Sequence, residues 1–252
     1  MKKLLVALTL STVCCFTGTV KAQPGPHSAG PNFSGVMSKL YGEHQTFAAT
    51  VEIEVPDKRS STTVTMPGKL QFDHGKSRMD MNMSEVKGGK MPPNASAQLK
   101  AMGMDSMIVI NRNDLKVSYL IYPGLESYLE HPLPEDAGSA SADDLKVETT
   151  ELGKETIDGH ACVKNQVIVT GKDAKAHEST VWNATDLGKF PLKIVTQEDG
   201  QSLTIHFKDV TFAAAAAGTF EVTTTYKKYT DIQTMMQEVM MKKMGGGMMG
   251  HP

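Results

Sequence analysis

The chain is nearly without cysteine: Cys14 and Cys15 fall in its first segment, and Cys162 is the only thiol beyond them. No intramolecular disulfide can therefore staple the fold. The sequence also lacks a run of about 20 apolar residues, the length a membrane-spanning helix requires. The apolar stretch Leu4 to Val13 is shorter, follows Lys2 and Lys3, and leads to Val20-Lys21-Ala22. That order reads as an export signal, residues 1–22, cleaved near Ala22. Val13 and Cys14, not Gly or Ala, precede the two leader cysteines, so they read as signal residues and not as a lipid-attachment box.

A basic excess is missing too. The 26 Lys and Arg face 28 Asp and Glu, and losing Lys2, Lys3 and Lys21 with the leader leaves 23 against 28, a net charge of -5. Such a balance gives no electrostatic footprint for nucleic acid. Catalytic signatures are absent: there is no Gly-x-Ser-x-Gly elbow, no phosphate-binding Gly-Lys-Ser/Thr loop and no Gly-x-Gly-x-x-Gly turn. His177-Glu178 begins like a zinc-protease helix, but Val181 stands where the second histidine belongs. The expectation is a non-enzyme without a cofactor.

What the sequence does contain is short strands cut by turns. Between Glu151 and Phe212, Asp158-Gly159 separates two β-prone runs, and Asp-Gly accepts the positive φ of a hairpin turn. Gly171-Lys172-Asp173 and Glu198-Asp199-Gly200 repeat the device, which predicts an antiparallel meander. Upstream, Phe47 to Val55 alternates apolar and polar, as a half-buried strand does. Thr62 to Phe72 should pair with Arg78 to Met83 across Asp73-His74-Gly75-Lys76, followed by strands at Met107–Ile110, Lys116–Tyr122 and Leu125–Glu130. Thr219 to Thr225 reads as a last strand.

Helical spacing is confined to three places. Val36, Met37 and Leu40 precede a stop at Gly42; Ala95, Leu99 and Met102 form a stripe closed by Gly103. Thr230 to Gln233 fits a reciprocal N-terminal cap, opening a helix over 231–244 with Ile232, Met235, Met236, Val239, Met240 and Met244 on one side. The stretch 85–107 is long for a connector and suits a lid.

Methionine is abundant, 17 residues in all, seven of them from Met235 onward. On Arg78 to Met83 strict alternation sets Met79, Met81 and Met83 on one face. They are either ordinary core or the lining of a cavity for a flexible apolar ligand, since the thioether chain adapts its shape. The terminal methionines with His251 are either packing residues with a loose tail or soft ligands for Cu(I). His160 and Cys162, two apart, form at most a fragment of a metal or thiol site.

Tyr122-Pro123-Gly124 with Tyr128 and Pro132, Asp158-Gly159-His160-Ala161-Cys162, Val181-Trp182-Asn183-Ala184 and Phe190-Pro191-Leu192-Lys193 together carry a resemblance. Over about Phe47 to Tyr229 the chain resembles an uncharacterised family of exported bacterial domains, itself similar to the periplasmic lipoprotein carriers of the LolA and LolB type. The resemblance implies an unclosed β-barrel: one strongly curved antiparallel sheet around a hydrophobic cavity, with short helices as a lid. It also implies an arginine that holds the lid, for which Arg78 is the matching position.

The resulting expectation is a mainly β protein with a lead-in at 23–31, the sheet domain at 32–230, the amphipathic helix at 231–244 and a tail at 245–252. It would act as a periplasmic, monomeric carrier for a lipid acyl chain or a lipidated protein, in transient contact with envelope membranes. Met79, Met81, Met83, Ile108, Ile110 and Trp182 would line the ligand face. The alternatives are Cu(I) binding by the terminal methionines and an envelope interaction module whose core is filled by its own side chains.

Overall fold

The computed structural model of the protein describes residues 36–57, 62–89, 92, 94–133, 145–171, 176–198 and 201–246. The expected export signal, lead-in, linker around Gly138 to Ala142 and final residues with Met248, Met249 and His251 lie outside these. Among the described residues the chain builds one sheet of 12 strands. They are β1 (Thr46–Pro56), β2 (Thr63–Asp73), β3 (Lys76–Asn82), β4 (Ser106–Arg112), β5 (Val117–Tyr122) and β6 (Ser127–Pro132). Then come β7 (Lys146–Ile157), β8 (His160–Thr170), β9 (Ala176–Ala184), β10 (Pro191–Glu198), β11 (Gln201–Thr211) and β12 (Lys227–Tyr229). Among the described residues three α-helices accompany them: α1 (Val36–Lys39), α2 (Ala95–Met102) and α3 (Ile232–Gly246).

The spatial order is β12-β6-β5-β4-β3-β2-β1-β11-β10-β9-β8-β7, so the two end strands never meet and the sheet stays open. Turn chemistry explains the hairpins. Asp158 and Gly159 both take positive φ, 50° and 86°, and His74-Gly75 does the same at 46° and 81°. Helix α2 ends where Gly103, at φ 75°, returns its N–H to the Leu99 and Lys100 carbonyls.

The joint between β1 and β11 sets the shape of the whole. Their pairing brings a strand from each half of the chain together, Val51 opposite Phe207 and Ile53 opposite Ile205. On the inner face there, Tyr41, Phe47, Phe72, Phe190 and Phe207 are almost wholly buried, with Tyr41 edge-on to Phe47 at 4.9 Å and to Phe72 at 5.0 Å. Tyr41, two residues after α1, thus packs into this aromatic cluster. Its hydroxyl oxygen is buried without a hydrogen-bond partner, and burial pushes the phenol far above its ordinary pKa. An unmatched hydroxyl costs about 1–3 kcal/mol, so Tyr41→Phe should raise stability by about 1 kcal/mol in urea unfolding. A loss of stability would mean the hydroxyl has a partner in solution.

After β11 the chain does something the local pattern did not announce. Residues 212–226 form no strand, and the expected strand at Thr219 to Thr225 is instead a strap. It crosses from the middle of the sheet to its far edge along the outer face, where Phe220 packs with Ile110 and Ile121, and Ala215, Val222 and Tyr226 join Ile108, Tyr119 and Tyr128. Strand β12 then adds to β6 in parallel, Lys227 beside Ser127, which makes the sheet mixed and not purely antiparallel.

Helix α3 swings back to the inner face, where Met235 is fully buried and Ile232 and Met236 pack beside it. Its cap is Asp231, not Thr230: the Thr234 N–H donates to Asp231 Oδ1 at 2.8 Å and the Thr234 hydroxyl to Oδ2 at 2.8 Å. Those bonds hold the Asp231 carboxyl below the usual range. Met240 and Met241 point into solvent, 55% and 66% exposed, so the buried stripe is shorter than the spacing suggested. Among the described residues no helix is long and apolar enough to cross a membrane.

Candidate functional site

Strand alternation and register define the inner face of β1 to β6 row by row. One row runs Ala49, Leu70, Met79, Val109, Leu120, Leu129; the next runs Val51, Gly68, Met81, Met107. Toward β3–β6 this surface is aliphatic and rich in methionine, whereas around β1, β2, β10 and β11 it is the aromatic nucleus described above. Gly68 has a packing reason: a Cβ there would overlap Met79 Cε and lie 2.8 Å from the Asp80 carbonyl oxygen. The Met79 thioether lies over bare backbone.

The two regions differ in how tightly they are sealed. Met79, Met81, Met107 and Val109 are buried, but Met66, Met83, Met104, Leu120 and Leu125 around them are only half-buried. Helix α2 sits at this end and presents Ala95, Leu99 and Met102 half-buried, with no buried residue of its own. Its C-terminal turn touches the Pro123–Leu125 turn between β5 and β6 backbone to backbone, since a Cβ on Gly103 would lie 2.7 Å from the Gly124 oxygen.

The residues expected to line the ligand face separate into two groups. Met79 and Met81 do lie on the inner face, and Met83, in a one-turn helix at Met83–Glu85, packs against the same core. Ile108 and Ile110 do not join them. Met79 pairs with Val109 and Met81 with Met107, so the even-numbered residues of β4 face outward under the strap. Trp182 is displaced for the same reason. Val181 pairs with Ile194 on the inner face, which leaves Trp182 on the other, between Lys164 and Lys193 at 5.0 and 4.9 Å from its ring, with Nε1 donating to Glu155 at 2.8 Å.

Arg78 also lies on the outer face, opposite Ile110. Its guanidinium is held by Asp80 in a two-pronged pair at 2.7 and 3.1 Å, and Nη1 donates to the Thr219 carbonyl at 3.1 Å. Arg112, gripped by Asp114, likewise donates to the Phe220 carbonyl at 3.3 Å, and Lys76 stands 5.4 Å from the Phe220 ring. What Arg78 fastens is the strap, not a helix over the methionines. No sequence pattern named Arg112 as its twin.

Other candidates resolve into structural roles. The His160 ring meets Asp186 at 2.7 Å, while Cys162 is buried, its thiol pushed up by burial and donating to the His160 carbonyl at 3.5 Å. Among the described residues no three His, Cys, Asp or Glu converge as a metal site. A hollow of about 200 Å3 on the outer side of β1, β2 and β11, at the bulge between Ala48 and Thr50, is lined by polar residues including Lys69, Gln71 and Asp209. Pockets for drug-sized ligands run upward from about 300 Å3, so this one is too small for a fatty chain.

These features define a class: an open single-sheet β domain with one face under short helices and the other under a strap. The chain belongs to the DUF4412 family, a domain of unknown function, whose model matches residues 58–246. No curated protein matches it. Among solved structures it is similar to the lipoprotein LppX from Mycobacterium tuberculosis, with 11% identity, 71% of this chain and 92% of that one covered, and a TM-score of 0.42. It is likewise similar to LprF from Mycobacterium bovis, at 14% identity, 75% and 92% coverage and a TM-score of 0.39. A LolA superfamily protein from Nitrosomonas europaea aligns at 9% identity, 72% and 92% coverage and a TM-score of 0.38.

Proposed function

We propose that this protein is an exported, non-catalytic carrier that shelters a hydrophobic ligand, an acyl chain or the lipid of an acylated protein, against the methionine sector of its sheet. One observation carries the reading: a contiguous aliphatic surface, Met79, Met81, Met107 and Val109, is rimmed by half-buried Met66, Met83, Met104, Leu120 and Leu125 and not sealed by them. Large apolar side chains left partly open together are a binding surface more often than an accident. Methionine suits it because its flexible chain can follow a guest of variable shape. The aromatic half is packed solid and serves as the rigid support, which confines the ligand to β3–β6.

The energetics are sufficient. Burying each CH2 contributes about 0.8 kcal/mol, so ~12 carbons supply roughly 10 kcal/mol before ordering costs of several kcal/mol. Helix α2, with three half-buried contacts and no buried residue, is the element that opens. Export is part of this proposal and is supported by the signal-like order of residues 1–22.

The test is titration of the purified protein with an environment-sensitive fluorescent fatty acid. Met83→Asp and Met104→Asp, both at half-buried positions, should each weaken binding at least ~10-fold, or about 1.4 kcal/mol, with the circular dichroism unchanged. Folded protein that gives no signal at saturating probe would leave the filled-core interaction module as the better reading.

A further inference from the structure

The inner face turns polar at one end. The row that starts with Phe47 and Phe72 continues through Ser77, Asn111, Ser118 and His131 on β3 to β6. Ser77, Asn111 and Ser118 are 1%, 5% and 6% exposed. Asn111 Nδ2 donates to Ser77 Oγ at 3.2 Å, but among the described residues the Ser118 hydroxyl and the His131 ring have no hydrogen-bond partner. Two residues beyond Asn111, the Asn113 Oδ1 is buried and equally unmatched. The Asn113 oxygen is sealed from solvent at a cost of about 1–3 kcal/mol, while the Ser118 hydroxyl and the His131 ring nitrogens keep some exposure and stay free to bond. A row of mostly buried residues with free polar atoms at the edge of an apolar sector marks a place where a guest's polar atoms can bond.

The charge of that guest follows from what the row lacks. It holds carboxamide, hydroxyl and imidazole groups and no lysine or arginine. The neighbouring bases Lys76, Arg78 and Arg112 belong to the outer face and are already engaged by Asp73, Asp80 and Asp114. A buried anion here would have no counter-charge, whereas a neutral carbonyl or N–H would be fully served. The geometry points to a head-group subsite in which Asn111, Ser118 and His131 take the neutral ester or amide of an acyl chain whose tail lies on the next row, over Val109, Leu120 and Leu129. This rests on the carrier reading and adds a selectivity to it.

The experiment displaces a neutral fluorescent probe from the full chain with palmitate derivatives at one fixed pH. Monopalmitoylglycerol and an N-palmitoylated peptide, one a free lipid and one an acylated protein mimic, should each compete about tenfold better than palmitate or palmitoyl lysophosphatidic acid, and which of the two wins tells the natural source. Ser118→Ala, which deletes one oxygen and leaves the packing, and Asn111→Leu should each bring the neutral derivatives down toward the affinity of palmitate, with the circular dichroism of the parent. A probe that binds but is displaced equally by every head group, or better by the anions, overturns the subsite and leaves the carrier standing. If no probe binds at all, both fall.

Discussion

Phe47→Ala will remove about 4 kcal/mol from the folding free energy, the largest loss expected of any single truncation in this chain. The ring is 1% exposed and sits among four others, 4.8 Å from Phe190, 4.9 Å from Tyr41, 5.4 Å from Phe72 and 6.2 Å from Phe207. Those partners come from β2, β11 and the segments after α1 and before β10, so the cavity left behind cannot close without moving several elements at once. Edge-on and offset aromatic pairs add about 0.5–1.5 kcal/mol beyond area burial. Phe212→Ala is the control: that ring is 46% exposed and stacks on His44 at 4.5 Å, and its loss should cost less than about 1 kcal/mol. With domain stabilities of about 5–15 kcal/mol, the two variants separate clearly in urea midpoint. Equal shifts would mean the aromatic cluster is not the rigid half of the sheet.

That nucleus was only partly legible in the sequence. Phe47 and Phe72 stand on strands whose alternation is plain, and Asp158-Gly159 and Gly103 announce their turns because only certain residues accept positive φ. Alternation tells which residues share a face, yet it does not say which face is inside when both are apolar. Strand β4 is that case: Met107, Val109 and Asn111 meet the core, while Ile108 and Ile110 are just as hydrophobic because the strap covers them. An isoleucine chosen by type alone has even odds of the right side. Trp182 misled for a related reason, since the lysines that flank its ring come from strands β8 and β10, and cross-strand stacking leaves no local trace.

The strap was hidden for a different reason. Thr219 to Thr225 has the composition of a strand, and propensity in a sheet reflects the packing available more than the backbone. Strand β11 is already flanked by β1 and β10, so the segment lies across the outer face and the pairing falls to Lys227–Tyr229, of which only the tyrosine is a favoured strand residue. The half-open methionine sector and the polar row beside it became visible only once the hairpin registers were known, because Ser77, Asn111, Ser118 and His131 are scattered over 54 positions of sequence and adjacent in one row of the sheet.

Because the strap rests on few anchors, Phe220→Ala will open it while leaving the sheet folded. Phe220 is the one strap residue buried to the level of the core, 7% exposed between Ile110 and Ile121, with Lys76 beside its ring. Truncating a buried phenylalanine costs about 3–5 kcal/mol, and here the remaining grip is the half-buried Ala215, Val222 and Tyr226 and two guanidinium bonds to the Thr219 and Phe220 carbonyls. Such bonds contribute about 1.5–3 kcal/mol each at most, less where solvent reaches them, as it does at Arg78. The expected result is amide exchange over 212–226 at least ~100-fold faster than in the parent, with the β1–β11 amides still protected. Arg78→Ala and Arg112→Ala should each reproduce a smaller part of the effect, because Phe220 stays in place when one guanidinium is lost. Were the strap to stay protected in Phe220→Ala, the outer cluster would owe its order to backbone contacts and the arginines would be surface decoration. If the whole sheet exchanged faster instead, the strap would be an integral layer of the core, and no part of the outer face could open while the inner one holds a ligand.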